Sequence, residues 1–232
     1  MTRMLASVNS LMEAKLVYSA GADIIDLKQP AAGALGALPM ETVAQTCDWC
    51  AGRVPVSATV GDLPMQPDLI FDAVQAMAAT GVDYIKIGFF PGGDWHPVVQ
   101  KLAALTQKGS ALIAVLFGDA HPDPDFVRIL QQAGFAGVMM DTMDKSRGSL
   151  TDILPLRTIE HFVEQAKTHN LLCGLAGSLR LEDIPLLLRY RPDYLGFRGA
   201  LCVQRQRTAE LDDKAVARIK KALYEGVALD TA

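Results

Sequence analysis

Two lysines occupy positions where a lysine is costly. The stretch Asp23-Ile24-Ile25-Asp26-Leu27-Lys28 lies between the turn signals Gly21-Ala22 and Gln29-Pro30, which predicts a short strand. Strand side chains alternate, so Ile25 and Leu27 share one face, and Asp26 and Lys28 share the other. Val82-Asp83-Tyr84-Ile85-Lys86-Ile87-Gly88 repeats the arrangement, with Tyr84 and Lys86 opposite Ile85 and Ile87. A charge on the inner face of an apolar strand is unfavourable unless it is paired or used. An amine in a dry pocket, or beside a second cation, shifts toward its neutral form. The neutral amine attacks a carbonyl to give an imine, an electron sink for carbanion chemistry. A structural ion pair would account for one such lysine; two at corresponding strand ends point to function. Neighbouring strands lie roughly 5 Å apart, so amines two strands apart can reach one small substrate.

Further groups fall at the ends of predicted strands. Asp26 is placed to orient Lys28 or to pair with it. Asp141 closes Val138-Met139-Met140-Asp141 and is placed to move protons or to hold a lysine. Lys145 follows in Asp144-Lys145-Ser146-Arg147-Gly148, either as a phosphate contact or as a solvated loop charge. Gly177-Ser178 and Arg198-Gly199 come late in the chain, where barrel loops often bind phosphate through backbone N–H groups. Glycine lets the backbone approach an anion, and Arg198 would add a charge-assisted contact. Two ordinary turns would read the same way. Cys47-Asp48-Trp49-Cys50 has the spacing of a metal or redox pair, but a helix is predicted there and no second pair stands near. His96, His121, His161 and His169 show no ligand spacing; His121, after a predicted strand, is a minor candidate. Glycine-rich nucleotide signatures are absent, and the chemistry requires no metal or organic cofactor.

These groups need a scaffold to bring them together. The pattern switches repeatedly between period two and period 3.6. Predicted strands are Leu5–Asn9, Asp23–Lys28, Val54–Val60, Tyr84–Gly88, Ala111–Phe117, Gly137–Asp141, Leu171–Ala176 and Tyr194–Phe197. Helices are predicted from Ser10 to about Ala20, and over Pro39–Cys50, Pro67–Thr80, Trp95–Lys108, Asp125–Gln132, Thr158–Thr168, Leu181–Arg189 and Asp212–Tyr224, the tail beyond being frayed. Ser10 and Glu13 form a capping box for the first helix. Pro185 would distort the seventh. Gln29 to Ala37, rich in small residues, suits a mobile loop over a site, and Asp141 to Leu150 reads as a polar loop. Eight strand-then-helix units with near-continuous apolar strands imply parallel pairing. The fold expected is α/β, a single (β/α)8 TIM barrel over residues 1–232, with an open doubly wound sheet as the alternative.

Bulk properties bound the function. The chain has 232 residues and a net charge of −4, which argues against nucleic acid as the main partner. The N-terminus turns polar too early for a signal peptide, and no apolar run reaches membrane-spanning length. A cytoplasmic location is expected, where the four cysteines would stay unbridged. Apolar helix faces fit either a homo-oligomer interface or core.

Five blocks carry a resemblance. They are Asp26-Leu27-Lys28-Gln29-Pro30 with Gly33 and Leu35-Gly36-Ala37, Ser57-Ala58-Thr59-Val60-Gly61-Asp62, Asp83-Tyr84-Ile85-Lys86-Ile87-Gly88, Gly137-Val138-Met139-Met140-Asp141-Thr142, and Gly174-Leu175-Ala176-Gly177-Ser178-Leu179. Together they resemble the (5-formylfuran-3-yl)methyl phosphate synthase family. The resemblance implies a lyase that condenses two molecules of glyceraldehyde 3-phosphate into a phosphorylated furan aldehyde, with loss of phosphate and water, for methanofuran-type coenzymes. It also implies that Lys28 forms the Schiff base, that Lys86 accepts a proton, and that Asp141 and Lys145 belong to the same site. The residues alone leave two other readings: a different imine-forming aldolase or sugar-phosphate isomerase, and a silent barrel that binds a phosphorylated metabolite.

Overall fold

Eight apolar runs become eight parallel strands that close on themselves in sequence order, so the closed barrel holds and the open sheet does not. The computed structural model describes residues 1–228. The strands are β1 Arg3–Val8, β2 Ile24–Leu27, β3 Val56–Thr59, β4 Tyr84–Phe89, β5 Leu112–Phe117, β6 Gly137–Asp141, β7 Leu172–Leu175 and β8 Tyr194–Phe197. Each pairs in parallel with the next, and β1 pairs with β8. Helices fill the crossovers: α1 Leu11–Ser19, α2 Met40–Cys50, α3 Pro67–Ala78, α4 Trp95–Thr106, α5 Phe126–Gln132, α6 Leu150–Ile153, α7 Leu156–Thr168, α8 Ile184–Leu188 and α9 Asp213–Ala228. Strand ends fall within two residues of the sequence expectation.

Three segments depart from it. The polar loop after Asp141 contains α6, because Ser149 and Asp152 close a capping box around its first turn. The helix expected over Leu181–Arg189 is a 3-10 turn, Leu181–Asp183, followed by α8. Pro185 stands in the first turn of α8, where a missing N–H costs nothing. Helix α9 runs past Tyr224 to Ala228; the rest of the expected frayed tail lies outside the described residues.

Strand alternation sorts the core into two layers. Ile25, Leu27, Val56, Ile85 and Ile87 pack outward against the helices. Leu5, Ile24, Ile113, Val115, Met139 and Tyr194 fill the lower interior of the barrel. A recurring brace sets the strand starts. Asp23, just before β2, accepts the Met4 N–H of β1 at 2.7 Å. Asp83, before β4, accepts from Val56 of β3 at 2.8 Å, and Asp193, before β8, from Cys173 of β7 at 2.7 Å. The corresponding residue before β6 is Ala136. The braces mark equivalent positions on alternate strands, the strands that contribute jointly to interior layers of such a barrel.

Inside the floor, Gly174 makes room for Tyr194, whose ring a Cβ at that position would overlap. Gly174→Ala is expected to cost about 1–3 kcal/mol through overpacking, read as a lower urea midpoint with an unchanged slope.

Candidate active site

Counting from the braces locates the two lysines. Lys28 is five residues beyond Asp23, and Lys86 is three beyond Asp83. They are therefore not at equivalent strand ends, as the sequence suggested. Lys86 shares its level with Asp26, and Lys28 stands one level nearer the mouth. That step decides the pairing. Asp26 binds Lys86, not Lys28: Lys86 Nζ lies 2.6 Å from Asp26 Oδ1. Ser57 Oγ donates to the same oxygen and Ser7 Oγ to Oδ2, each at 2.7 Å. Asp26 has no exposure and Lys86 only 2%. Burial pushes the Asp26 carboxyl up, but the charges of Lys86 and Lys28, with the hydrogen bonds, outweigh it and hold the group below its ordinary range.

Lys28 is left with no carboxylate in ion-pair contact and no hydrogen bond to its amine among the described residues. Burial brings its pKa down to about 8; the charges of Lys145 and Lys86 act in the same direction, against Asp141 and Asp26. Near neutral pH a fraction of Lys28 is thus a free amine. Asp141 closes β6 on the facing wall. Its Oδ1 accepts from Lys145 Nζ at 2.5 Å and from the Thr142 N–H at 2.7 Å, leaving Oδ2 without a partner among the described residues. Burial raises its pKa, yet Lys145 and Lys28 together bring it below the ordinary value, so the group is a carboxylate at neutral pH.

Lys28, Lys86, Asp141, Lys145, Gly177 and Ser178 line one cavity of about 290 Å³ at the carboxyl ends of the strands. That volume suits small metabolites rather than large ones. Gly196 and Ala176 of the lining keep the floor open; a Cβ on Gly196 would come 3.0 Å from Met139 Cε. On the β7 side, Gly177 (φ 106°) and Ser178 (φ 48°) both adopt left-handed backbone. A Cβ on Gly177 would meet Thr142 at 2.8 Å, so the turn is closed to larger residues. The Gly177 and Ser178 amides donate to no backbone carbonyl among the described residues. They are free to face an anion, as is usual for this corner of the fold. Gly199, just after β8, lines the same cavity.

Arg198 behaves differently from expectation. Its Nε donates to the Arg207 carbonyl at 2.8 Å and Nη1 to the Ser7 carbonyl at 3.2 Å. Nη1 and Nη2 also grip Glu13 at 2.5 and 3.2 Å, and Nη2 reaches the Ala209 carbonyl at 3.1 Å. All five guanidinium N–H groups are engaged, so this side chain shapes the β8 loop and offers phosphate nothing. Ser10 Oγ caps the Glu13 N–H at 3.2 Å, but the Glu13 carboxylate accepts from Asn9 rather than from Ser10, so only half of the expected capping box forms. Glu13 therefore ties the start of α1 to the end of β8.

Two side chains that tie the mouth loops were not evident from the sequence. Asp62 accepts the Ala34 and Leu35 N–H groups at 2.7 and 2.6 Å, which pins the loop after β2 rather than leaving it mobile. Arg207 reaches across from the β8 loop to the Gly33 carbonyl at 2.9 Å. The only signal for it was a run of arginines in a loop after the last strand. His121 lies outside the cavity, beside His161 in an apolar cleft between α5 and α7. Cys47 and Cys50 are free thiols on α2. Replacing Glu13 with Gln keeps the helix cap but strands the Arg198 charge. The expected loss is about 3–5 kcal/mol of stability, measured by denaturant unfolding.

Comparison with known proteins agrees with this geometry. The described fold is like that of phosphoribosyl anthranilate isomerase from Thermus thermophilus, with a TM-score of 0.66 over 98% of this chain and 99% of that one. At 13% identity the likeness speaks for the barrel alone. The chain is 43% identical over 230 residues to a Methylorubrum extorquens protein provisionally named (5-formylfuran-3-yl)methyl phosphate synthase, covering 99% of this chain and 95% of that one. It is 32% identical to the (5-formylfuran-3-yl)methyl phosphate synthase of Methanocaldococcus jannaschii, over 94% of this chain and 98% of that enzyme. The family model described as 4-HFC-P synthase matches residues 4–220, and the chain belongs to that family of enzymes.

Proposed function

We propose that this enzyme condenses two molecules of glyceraldehyde 3-phosphate into (5-formylfuran-3-yl)methyl phosphate, through an imine on Lys28, as a step toward methanofuran-type one-carbon coenzymes. The observation that carries the mechanism is the division between the two amines: Lys86 is in a buried ion pair, and Lys28 is unpaired with a pKa near 8. An unpaired, desolvated amine is the nucleophile. The names of the relatives supply the product class.

The product's substitution pattern dictates the bond that forms. Its ring joins C3 of one triose to C2 of the other. The first triose loses its phosphate, and the second keeps its own as the methyl phosphate. In this reading, Lys28 forms an iminium with C1 of the first triose, releasing water. A base removes the C2 proton, and the electron pair moves into the iminium. The resulting enamine expels phosphate from C3, which regenerates a conjugated iminium that is electrophilic at C3. The C2 carbanion of the second triose, as its enediolate, adds there. Ring closure onto the second aldehyde, loss of two waters and hydrolysis of the imine complete a balanced sequence.

The chain's own groups fit these needs. The Lys86–Asp26 pair is the route for the substrate's proton, with Lys86 as the acceptor. Asp141, held as a carboxylate by Lys145, assists proton transfer at the opposite wall. The turn of Gly177 and Ser178, with Gly199, holds the phosphate of the first triose.

Incubation with glyceraldehyde 3-phosphate is expected to yield a near-ultraviolet-absorbing furan aldehyde and one phosphate per furan. Aldol or isomerised products without that absorbance would instead favour an ordinary aldolase or isomerase. Tight binding without turnover would favour a silent barrel. In the active enzyme, kcat/KM is expected to fall about tenfold per pH unit below about 8, as Lys28 becomes protonated. Lys28→Arg is expected to abolish product formation in the same assay.

A further inference from the structure

The cations around the cavity are nearly all engaged. Lys86 is paired with Asp26, Lys145 with Asp141, and Arg198 with Glu13. Arg180 is paired with Asp152, and the exposed Arg205 with Glu182. Among the described residues, only Lys28 and Arg207 of this set have no carboxylate in ion-pair contact. Lys28 is the nucleophile. Arg207 is the remaining charge, and it is half-buried.

Its setting is built, not incidental. The Arg207 carbonyl is held from below by Arg198 Nε, and its Nη2 is fixed to the Gly33 carbonyl above β2. Only one of its five N–H donors is used by that bond. The rest belong to a guanidinium on the cavity wall. Burial and Arg198 work against its charge more than the carboxylates of Asp141 and Asp62 support it, so an anion hydrogen-bonded there would be favourable twice, by attraction and by hydrogen bonding. A planar fork of donors matches a phosphate in particular. Arg207 is also tied to a different element from the Gly177–Ser178 turn. It is anchored to the β2 loop, whereas that turn follows β7. The cavity therefore has two separate anion-receiving walls.

Two trioses bring two phosphates, and only one has a receiver so far. Resting on the reaction proposed above, we propose that the Arg207 guanidinium binds the phosphate of the second triose, the one retained in the product. It positions the incoming enediolate over the Lys28 iminium. The first triose can then form its imine and lose phosphate without Arg207, but carbon–carbon bond formation needs it.

That division gives a readout that a merely structural role would not move. In Arg207→Gln, the conjugated iminium forms and waits without a partner. Its hydrolysis releases a three-carbon 2-oxoaldehyde, so phosphate release exceeds furan formation. The test compares wild type, Arg207→Gln and Arg207→Lys for phosphate released, furan formed, KM for glyceraldehyde 3-phosphate and borohydride-trapped Lys28 adduct. Support would be a KM raised at least about tenfold, a phosphate-to-furan ratio well above one, a retained adduct, and partial rescue by lysine. An unchanged KM and a one-to-one ratio in Arg207→Gln would overturn the proposal. So would loss of adduct, phosphate and furan together, which would make Arg207 only a strap for its loop. Wild-type enzyme releasing neither phosphate nor furan would instead defeat the reaction itself, and this inference with it.

Discussion

A fully buried carboxylate at the centre of the barrel governs what the site can do. Asp26 takes three donors at 2.6–2.7 Å from three neighbouring walls, Ser7 on β1, Ser57 on β3 and Lys86 on β4. An ion pair at that depth loses hydration on both sides, and the Asp26 carboxylate stays ionised because the charges of Lys86 and Lys28, helped by the Ser7 hydroxyl, outweigh its burial. The pair fixes Lys86 in place against Asp26. It also leaves the amine one level above without a counterion among the described residues. Two lysines that look alike in sequence are thereby given different work.

Around that centre, the loops of the mouth are tied rather than loose. Glu13 and Arg198 bind the start of the chain's first helix to the end of its last strand. Arg198 in turn holds the β8 loop, and Arg207 from that loop holds the one after β2. Asp62 holds the same β2 loop from β3's side. The proposed reaction, which must keep water from a reactive iminium, gains from such a rim. The glycines serve the same end in the opposite way: Gly174 yields space to the floor, and Gly196 leaves the cavity above it empty.

Much of this was readable from the residues. Alternation placed the strands to within two residues, and the loops after them gave Lys28, Lys86, Asp141, Lys145, Gly177, Ser178 and Gly199 as neighbours in one cavity. What could not be read was depth. Periodicity reports which face a residue takes, not how far strands are staggered, so Lys86 seemed level with Lys28 and Asp26 seemed to belong to Lys28. Partners distant in the chain were equally hidden. Nothing near Arg198 announces Glu13, and an arginine after a late barrel strand reads as a phosphate ligand until its five donors are counted. Arg207 and Asp62 lie in loops without periodicity, where only the folded chain shows what they hold. The short α6 was lost in a polar stretch because a four-residue helix is too brief to show a period.

Which amine meets the substrate decides the mechanism. Borohydride reduction in the presence of glyceraldehyde 3-phosphate, followed by peptide mass mapping, reads that directly. The expected result is a single adduct on Lys28, with Lys86 unmodified. An adduct on Lys86, or on no lysine while turnover continues, would contradict the division of labour that the Asp26 pair imposes.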